Sequence, residues 1–342
     1  MRYLTAGESH GEALMAILEG VPAGLKVKLN AINNELKRRQ KGYGRGERMK
    51  IEKDEARIIS GLKNGISLGS PIGICIKNLD SSIEKLPIVL GARPGHADLA
   101  GALKYDFSDI RNVLERASAR ETAIRVAVGA VCKIFLQEFK IKILSRIVSI
   151  GGRKDRHSRI DEARKRKDTI GGIFEVMAKG VIPGLGSYAQ SDRRLDGCLA
   201  QAIMSIPGIK AVEIGLGFAY ADKFGSDVHD AVYYAKSKGI FRKTNNAGGI
   251  EGGVSNGEDI ILRACMKPIA TLLAPLDSVN IKTKQTTKAS IERSDICVVE
   301  AAGVVSEAAV AFELARAFLD KFGSDAMGDI KAGYKNYSAR IK

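Results

Sequence analysis

Strand-like and helix-like stretches are interleaved along the whole of this 342-residue chain, without the regular strand–helix alternation of a parallel sheet. No proline- or serine-rich linker separates two halves. The pattern predicts one α+β unit over residues 1–342 rather than two ordinary domains. Apolar alternation around an Asn64-Gly65 turn marks Ile58 to Ile76 as β-structure, and further strands are expected over Ile170–Val181, Val212–Phe218, Ile260–Met266 and Ile296–Val299. A helix is expected over Asn30–Gln40, capped by Asn30, with Ile32 and Leu36 inward and Arg38 and Arg39 in its last turn. A stronger one spans Ala119–Glu138, with Ala123, Ala127, Val131, Ile134 and Phe135 on one stripe. Another runs from about Asp192 to Ile206, and a last helix runs from Ser306 to Phe322 and stops at Gly323. Lys63-Asn64-Gly65 before one strand is echoed by Ser255-Asn256-Gly257 before another, which either an internal duplication or chance explains.

Composition then narrows the function. No apolar run reaches the roughly 18 residues of a membrane span, and Met1-Arg2-Tyr3-Leu4-Thr5 lacks the apolar core of a secretory signal. The five cysteines are odd in number and far apart, which gives neither a disulfide framework nor zinc spacing. A reducing cytoplasm and no metal are the expectation. The net charge of +15 admits nucleic acid, an anionic membrane surface or a polyanionic small ligand. Aromatics are only 6% and Trp is absent, so the basic, aromatic-interleaved surface of a nucleic-acid binder is missing. The densest basic run, Arg153 to Lys167, also holds Asp155, Asp161 and Glu162 and reads as a solvated helix or loop.

Short motifs carry the chemistry. Two of the four histidines sit in glycine-flanked polar runs, Gly7-Glu8-Ser9-His10-Gly11 and Arg93-Pro94-Gly95-His96-Ala97-Asp98. Histidine transfers protons near neutral pH, and flanking glycines let backbone approach a ligand closely. Glu115-Arg116-Ala117-Ser118-Ala119-Arg120-Glu121-Thr122 opens the strongest helix, where a serine, free amides and two arginines suit an anion. Gly42-Tyr43-Gly44-Arg45-Gly46-Glu47-Arg48-Met49 is a loop, as is Ala247 to Gly253, and Lys267-Pro268-Ile269-Ala270-Thr271 follows the next strand. Gly184-Leu185-Gly186-Ser187-Tyr188-Ala189 meets a loose dinucleotide fingerprint, but Pro183 interrupts the strand end and no acidic residue stands where the ribose would need one. No Walker A run occurs.

Taken in order and spacing, the two histidine motifs, the Glu115–Thr122 run, Ala247–Gly253, Lys267-Pro268 and Arg293-Ser294-Asp295 resemble chorismate synthases, over about Thr5 to Phe322. The resemblance implies a β-α-β sandwich of antiparallel sheets around helices, assembled as a homotetramer. It implies a carbon–oxygen lyase that converts 5-enolpyruvylshikimate 3-phosphate to chorismate and phosphate, the last step of the shikimate pathway, using reduced FMN with no net redox change. Arg39, Arg45, Arg48, Arg93, Arg120 and Arg293 would then bind substrate. Arg116, Ala117, Ser118, Gly252, the loop Lys267, Pro268, Ile269, Ala270 and Thr271, and Arg293 would contact FMN. Pro207 and Gly208, within Ser205–Ile209, would reach the cofactor from a neighbouring subunit. His10 would protonate the leaving phosphate, His96 would act near flavin N1 and the C2 carbonyl, Asp295 would manage the proton at flavin N5, and Ser9 and Ser118 would relay protons. Ala117 and Ala270 depart from the commoner serine and proline or serine, so Ala117 would act through its backbone. The chain lacks long insertions, so an external reductant rather than intrinsic use of NADPH is expected. The rival reading is a non-enzymatic polyanion- or RNA-binding protein.

Overall fold

The computed structural model describes residues 1–46, 53–237, 239–292 and 294–341. Two antiparallel four-stranded sheets enclose a layer of helices. The first comprises β1 (Arg2–Ala6), β2 (Ala13–Glu19), β3 (Ala56–Ile58) and β4 (Ile72–Lys77), in the order β1-β2-β4-β3. The second comprises β5 (Lys142–Ile150), β6 (Gly172–Lys179), β7 (Ile209–Ile214) and β8 (Ile260–Met266), in the order β5-β6-β8-β7. The helices of seven residues or more among the described residues are α1 (Leu29–Gln40), α2 (Asp98–Tyr105), α3 (Arg111–Ala117), α4 (Thr122–Gln137), α5 (Arg156–Lys165), α6 (Leu195–Met204), α7 (Val299–Phe322) and α8 (Met327–Arg340). α4 packs on the first sheet, α7 on the second, and the two helices pack on each other with α1 and α6 beside them. Gly129 of α4 lies so close to Ala308 of α7 that a Cβ there would sit 2.4 Å from the Ala308 Cα. Alternation along the strands turns Leu14, Ala16 and Leu18 inward from one sheet and Ile260, Leu262 and Ala264 from the other, into one continuous apolar core. The α+β sandwich is the expected fold class.

The two halves repeat each other. Strand order is the same in both sheets, each half sends a loop and helix from its second to its third strand, and a small hairpin precedes each fourth strand, 62–67 in the first half and 250–255 in the second, where it follows a longer connection. Ser67 Oγ donates to the Pro22 carbonyl at 2.6 Å and accepts from Leu25 N–H at 2.8 Å. Ser255 Oγ donates to the Ile182 carbonyl at 2.7 Å and accepts from Leu185 N–H at 2.9 Å. The echo read from the sequence is therefore not the structural correspondence. Asn64-Gly65, at φ 51° and 75°, corresponds to Gly252-Gly253, at φ 58° and 86°, each pair two residues before its serine.

Several boundaries differ from the sequence pattern. α1 starts at Leu29, with Lys28 as its N-cap and no side-chain cap, so Asn30 lies inside it. Glu115–Thr122 does not open a helix. It is the break between α3 and α4, where Ser118 turns extended and its hydroxyl accepts from Arg120 N–H. The strand expected over Val212–Phe218 is β7, displaced toward the N-terminus, because Gly215 and Gly217 take positive φ and turn the chain out of the sheet. Ile296–Val299 forms no strand; Val299 begins α7, whose first turns are buried on all sides, which erases helical periodicity. α8 follows the helix expected to be last, its two glycines hiding the inward face of Met327, Ile330, Tyr334 and Tyr337.

Candidate active site

A cavity of about 950 Å³ opens where the connections after β4 and after β8 meet over the helix layer. Part of its wall is apolar, with Val298, Ala301, Ala302 and Val305 from the start of α7, and with Leu86, Leu114 and Ile291. Around this wall stand Arg39, Arg45, Arg93, Arg111, Arg120 and Lys267. So many cations converging on one cavity make an anion site.

His10 reaches it from the β1–β2 connection. Gly7, at φ 107°, lets that chain turn so tightly that a Cβ would strike the Ala13 carbonyl. Glu115, in the last turn of α3, holds the histidine twice: His10 N–H donates to Oε2 at 2.8 Å, and Nδ1 lies 2.9 Å from Oε1. Ser9 N–H donates to the Glu115 carbonyl at 2.9 Å, and Ser9 Oγ meets Ser118 Oγ at 3.2 Å. Burial alone would raise the Glu115 carboxyl, but the hydrogen bonds from the His10 ring and backbone, then the charges of His10 and Arg111, bring it below its ordinary value. An ionised carboxylate only accepts, so the neutral His10 ring carries its proton on Nδ1.

His96 is braced in the same way by a different acid. Its Nδ1 makes a short contact with Oδ1 of Asp98, a fully buried residue at the start of α2. Asp98 also accepts from Arg93, from the backbone N–H and from Nε at 2.9 Å each, and Arg93 Nη1 donates to Thr271 Oγ1 at 2.7 Å. Burial opposes charge on Asp98, yet the bonds from His96 and Arg93 hold it well below the usual carboxylate range.

The remaining cations are fixed by Asp54, Asp295 and a backbone carbonyl. Buried Asp54 bridges Arg120 Nη1 at 2.5 Å and Arg39 Nη1 at 3.3 Å. Burial brings the Arg39 guanidinium down to about 10, partly restored by Asp54 and opposed by Arg45 and Arg120. Arg45 Nη1 pairs with Asp295 Oδ2 at 3.1 Å, and Asp295 also accepts from Gly46 N–H. Lys267 Nζ donates to the Gly95 carbonyl, and burial, then Lys210 and Arg93, lower its pKa.

A family model described as chorismate synthase matches residues 1–319. The chorismate synthase of Caldanaerobacter subterraneus subsp. tengcongensis is 56% identical, with 100% of this chain and 99% of that protein covered. That of Aquifex aeolicus is 50% identical over 100% and 98%. The chain belongs to the chorismate synthase family. A crystal structure of a chorismate synthase superposes with a TM-score of 0.82 at 43% identity, covering 100% of this chain and 98% of that one.

Most positions expected from the chorismate synthase motifs converge on the cavity. Ser9, His10, His96, Ala117, Ser118 and Asp295 line it, as do Arg39, Arg45, Arg93 and Arg120 and the loop Lys267–Thr271. Pro207 and Gly208 line the cavity of their own chain, where the turn after α6 is tied to the site by Lys267 N–H donating to the Gly208 carbonyl at 2.9 Å. Arg116 does not line it: its guanidinium turns back to the first sheet, donating to the Gly7 carbonyl at 2.9 Å and to Thr5 Oγ1 at 2.9 Å. Gly252 lies outside as well, in the second-half hairpin beside Arg194, whose Nη1 donates to its carbonyl at 3.3 Å. Arg48 and Arg293 lie outside the described residues. Glu115, Asp98, Asp54 and Arg111 also belong to the site, and the sequence motifs assign them no role; Glu115 and Asp98 lie within the motifs of Ser118 and His96, whereas nothing in the sequence around Asp54 marks it.

Proposed function

We propose that this chain converts 5-enolpyruvylshikimate 3-phosphate to chorismate and phosphate by an anti-1,4-elimination, with reduced FMN required and no net redox change. The observation that carries this is His10, held by Glu115 at Nδ1, facing a cavity ringed by guanidinium groups. The volume, about 950 Å³, is at the upper end of small-molecule sites, roughly 300–1,000 Å³, and suits a substrate and a flat cofactor together. The residues fit FMN: an apolar wall for a ring system, and fixed cations for phosphates of about −1.5 to −2 charge. Bound there, reduced FMN would lend electron density to the reacting system and recover it. Arg39, Arg45, Arg93 and Arg120 would hold the substrate's carboxylates and phosphate. Ala117, Ser118, Pro207, Gly208 and Lys267 to Thr271 would hold the cofactor. His10 would give a proton from Nε2 to the departing phosphate, with Ser9 and Ser118 as a relay. His96 would hold a proton at flavin N1 and the C2 carbonyl, and Asp295, paired with Arg45, would take up the proton at N5.

The rest of this reading is the last step of the shikimate pathway with an external reductant, run by one domain in a cytoplasmic homotetramer, and wider features bear on the domain, the compartment and the assembly. One continuous core joins both sheets, all five cysteines are free, and among the described residues no helix is long and apolar enough to cross a membrane. The outer face of the first sheet exposes Leu4, Met15 and Ile17, as an assembling surface does. The test is anaerobic phosphate release with dithionite-reduced FMN. Chorismate should form over many turnovers with the flavin still reduced. Flavin oxidised in proportion to product sinks the mechanism, and salt-sensitive RNA binding without turnover sinks the enzyme.

A further inference from the structure

We infer that Glu115 is the positioning residue that makes His10 a proton donor, and that the two histidines differ because their carboxylates are not equally free. The inference rests on the activity proposed above. The Glu115 carboxylate is given to His10, accepting its backbone N–H at 2.8 Å and lying 2.9 Å from its Nδ1. Asp98, in contrast, is spent on Arg93, which reaches it through the backbone N–H, Nε and Nη2 while also lying 3.1 Å from His96 Nδ1. A protonated His10 is thus balanced by a dedicated negative charge. A protonated His96 would face a guanidinium that already balances its carboxylate. The other charged groups around His10 are Arg111, which favours ionised Glu115 from the same helix, and Asp80 and Arg120, which line the same cavity.

Nε2 of neither ring has a hydrogen-bond partner among the described residues, and both rings line the cavity. In the reacting complex the proton on His10 Nε2 passes to the phosphate oxygen as the C–O bond breaks and leaves its electron pair on that oxygen. Glu115 stays ionised and the second proton stays on Nδ1, so the ring neither rotates nor changes tautomer between cycles. Carboxylates behind catalytic histidines fix ring orientation and tautomer in this way.

Two measurements test it. Nitrogen-15 spectra of wild-type protein should show neutral His10 protonated at Nδ1; a proton on Nε2 in the neutral ring overturns the inference with no variant made. Glu115→Gln keeps the shape and an oxygen for Nδ1–H but removes the charge. It should lower kcat by about 10–100-fold, leave KM near wild type, and move the alkaline limb of the kcat profile to lower pH. Wild-type kcat and pH profile in Glu115→Gln, or a change confined to KM, overturns the role of Glu115. Wild-type protein that releases no phosphate fails at the proposed activity itself. Wild-type turnover that is lost in His10→Ala but kept in Glu115→Gln fails at Glu115 alone. Should Glu115→Gln not fold, the wild-type spectrum decides.

Discussion

The two halves of this molecule share a frame and divide the chemistry between them. In the first half the β1–β2 connection is the short run 7–12 that carries Ser9 and His10; in the second, the β5–β6 connection is the long run 151–171 that carries the charged helix α5. After its fourth strand the first half continues through 78–121, with Arg93, His96, Asp98, Glu115 and Ser118, before entering α4. The second half continues through 267–298, with Lys267, Thr271 and Asp295, before entering α7. Both histidines of the cavity and both of their acids therefore come from one half, while the other supplies a lysine, an aspartate paired to Arg45 and part of the wall. The shared frame therefore carries one site, built from connections that differ between the halves.

The largest effect expected from this division is kinetic. His10→Ala and His96→Ala should each lower kcat by about 10²–10⁴-fold, the range of a lost proton-transfer group. His157, on α5 of the second half, stacks on Tyr43 with ring centroids 4.4 Å apart, and His229 lies in a second-half turn outside the cavity. Their alanine variants should stay within a few-fold of wild type, α5 having the solvated character read from its mixed charge. Single-turnover rates with reduced FMN, with folding checked by circular dichroism, make the comparison. Equal losses at all four positions would mean that proton transfer is not confined to the first half.

What was legible in the sequence follows the same division. The connections carry residues whose types are uncommon together, such as His10 between glycines or Arg93 with His96, and chemistry could be read from them directly. The frame is written in apolar alternation, which located β8 to the residue and found the core stripe of α4, but carries no label for which strand pairs with which. Internal symmetry stayed hidden because only the residues with special backbone or hydrogen-bonding duties repeat, and the visible echo aligned the wrong asparagines. Asp54 could not be found at all. Its role exists only where a short segment before β3 passes beneath Arg39 and Arg120, a meeting set by tertiary packing.

A smaller, broader effect concerns acid. Asp98, Glu115 and Glu307 are all held below their ordinary values in the folded protein, in each case because hydrogen bonds and neighbouring charge outweigh burial. A depressed carboxylate adds stability that is fully present above its unfolded value, near pH 4, and is lost as pH falls through the folded value. Stability should therefore fall from about pH 5 downward, against the opposite contribution of Glu313, which burial raises. Asp98 and Glu115 belong to the first-half connection; Glu307 sits in α7, bound by Arg38 and Lys133 of the first-half helices. Urea titrations from pH 7 to pH 3 should show the Asp98→Asn, Glu115→Gln and Glu307→Gln variants each with a shallower acid slope than wild type. Unchanged slopes would remove these carboxylates from the acid response.

The smallest effect tests the repeat itself. Ser67 and Ser255 are buried, and each hydroxyl bridges a carbonyl and an amide of the loop that leaves its half's second strand. Replacing either with Ala leaves that carbonyl and that amide without the hydroxyl, at a cost of about 1–3 kcal/mol. If the halves are equivalent frames, Ser67→Ala and Ser255→Ala should cost the same within about 0.5 kcal/mol, and the double variant should cost their sum. Neither serine lines the cavity, so kcat should be unaffected in both. The measurement is the urea midpoint at constant m-value, since a changed m would report on the unfolded chain rather than the bridge. A large cost at one serine with none at the other would mean that the matching geometry no longer does matching work, one loop having come to be held by the packing around it. A double variant costing much less than the sum would place both bridges in a single cooperative contact across the helix layer, and the halves would then be partners in one frame rather than two copies of it.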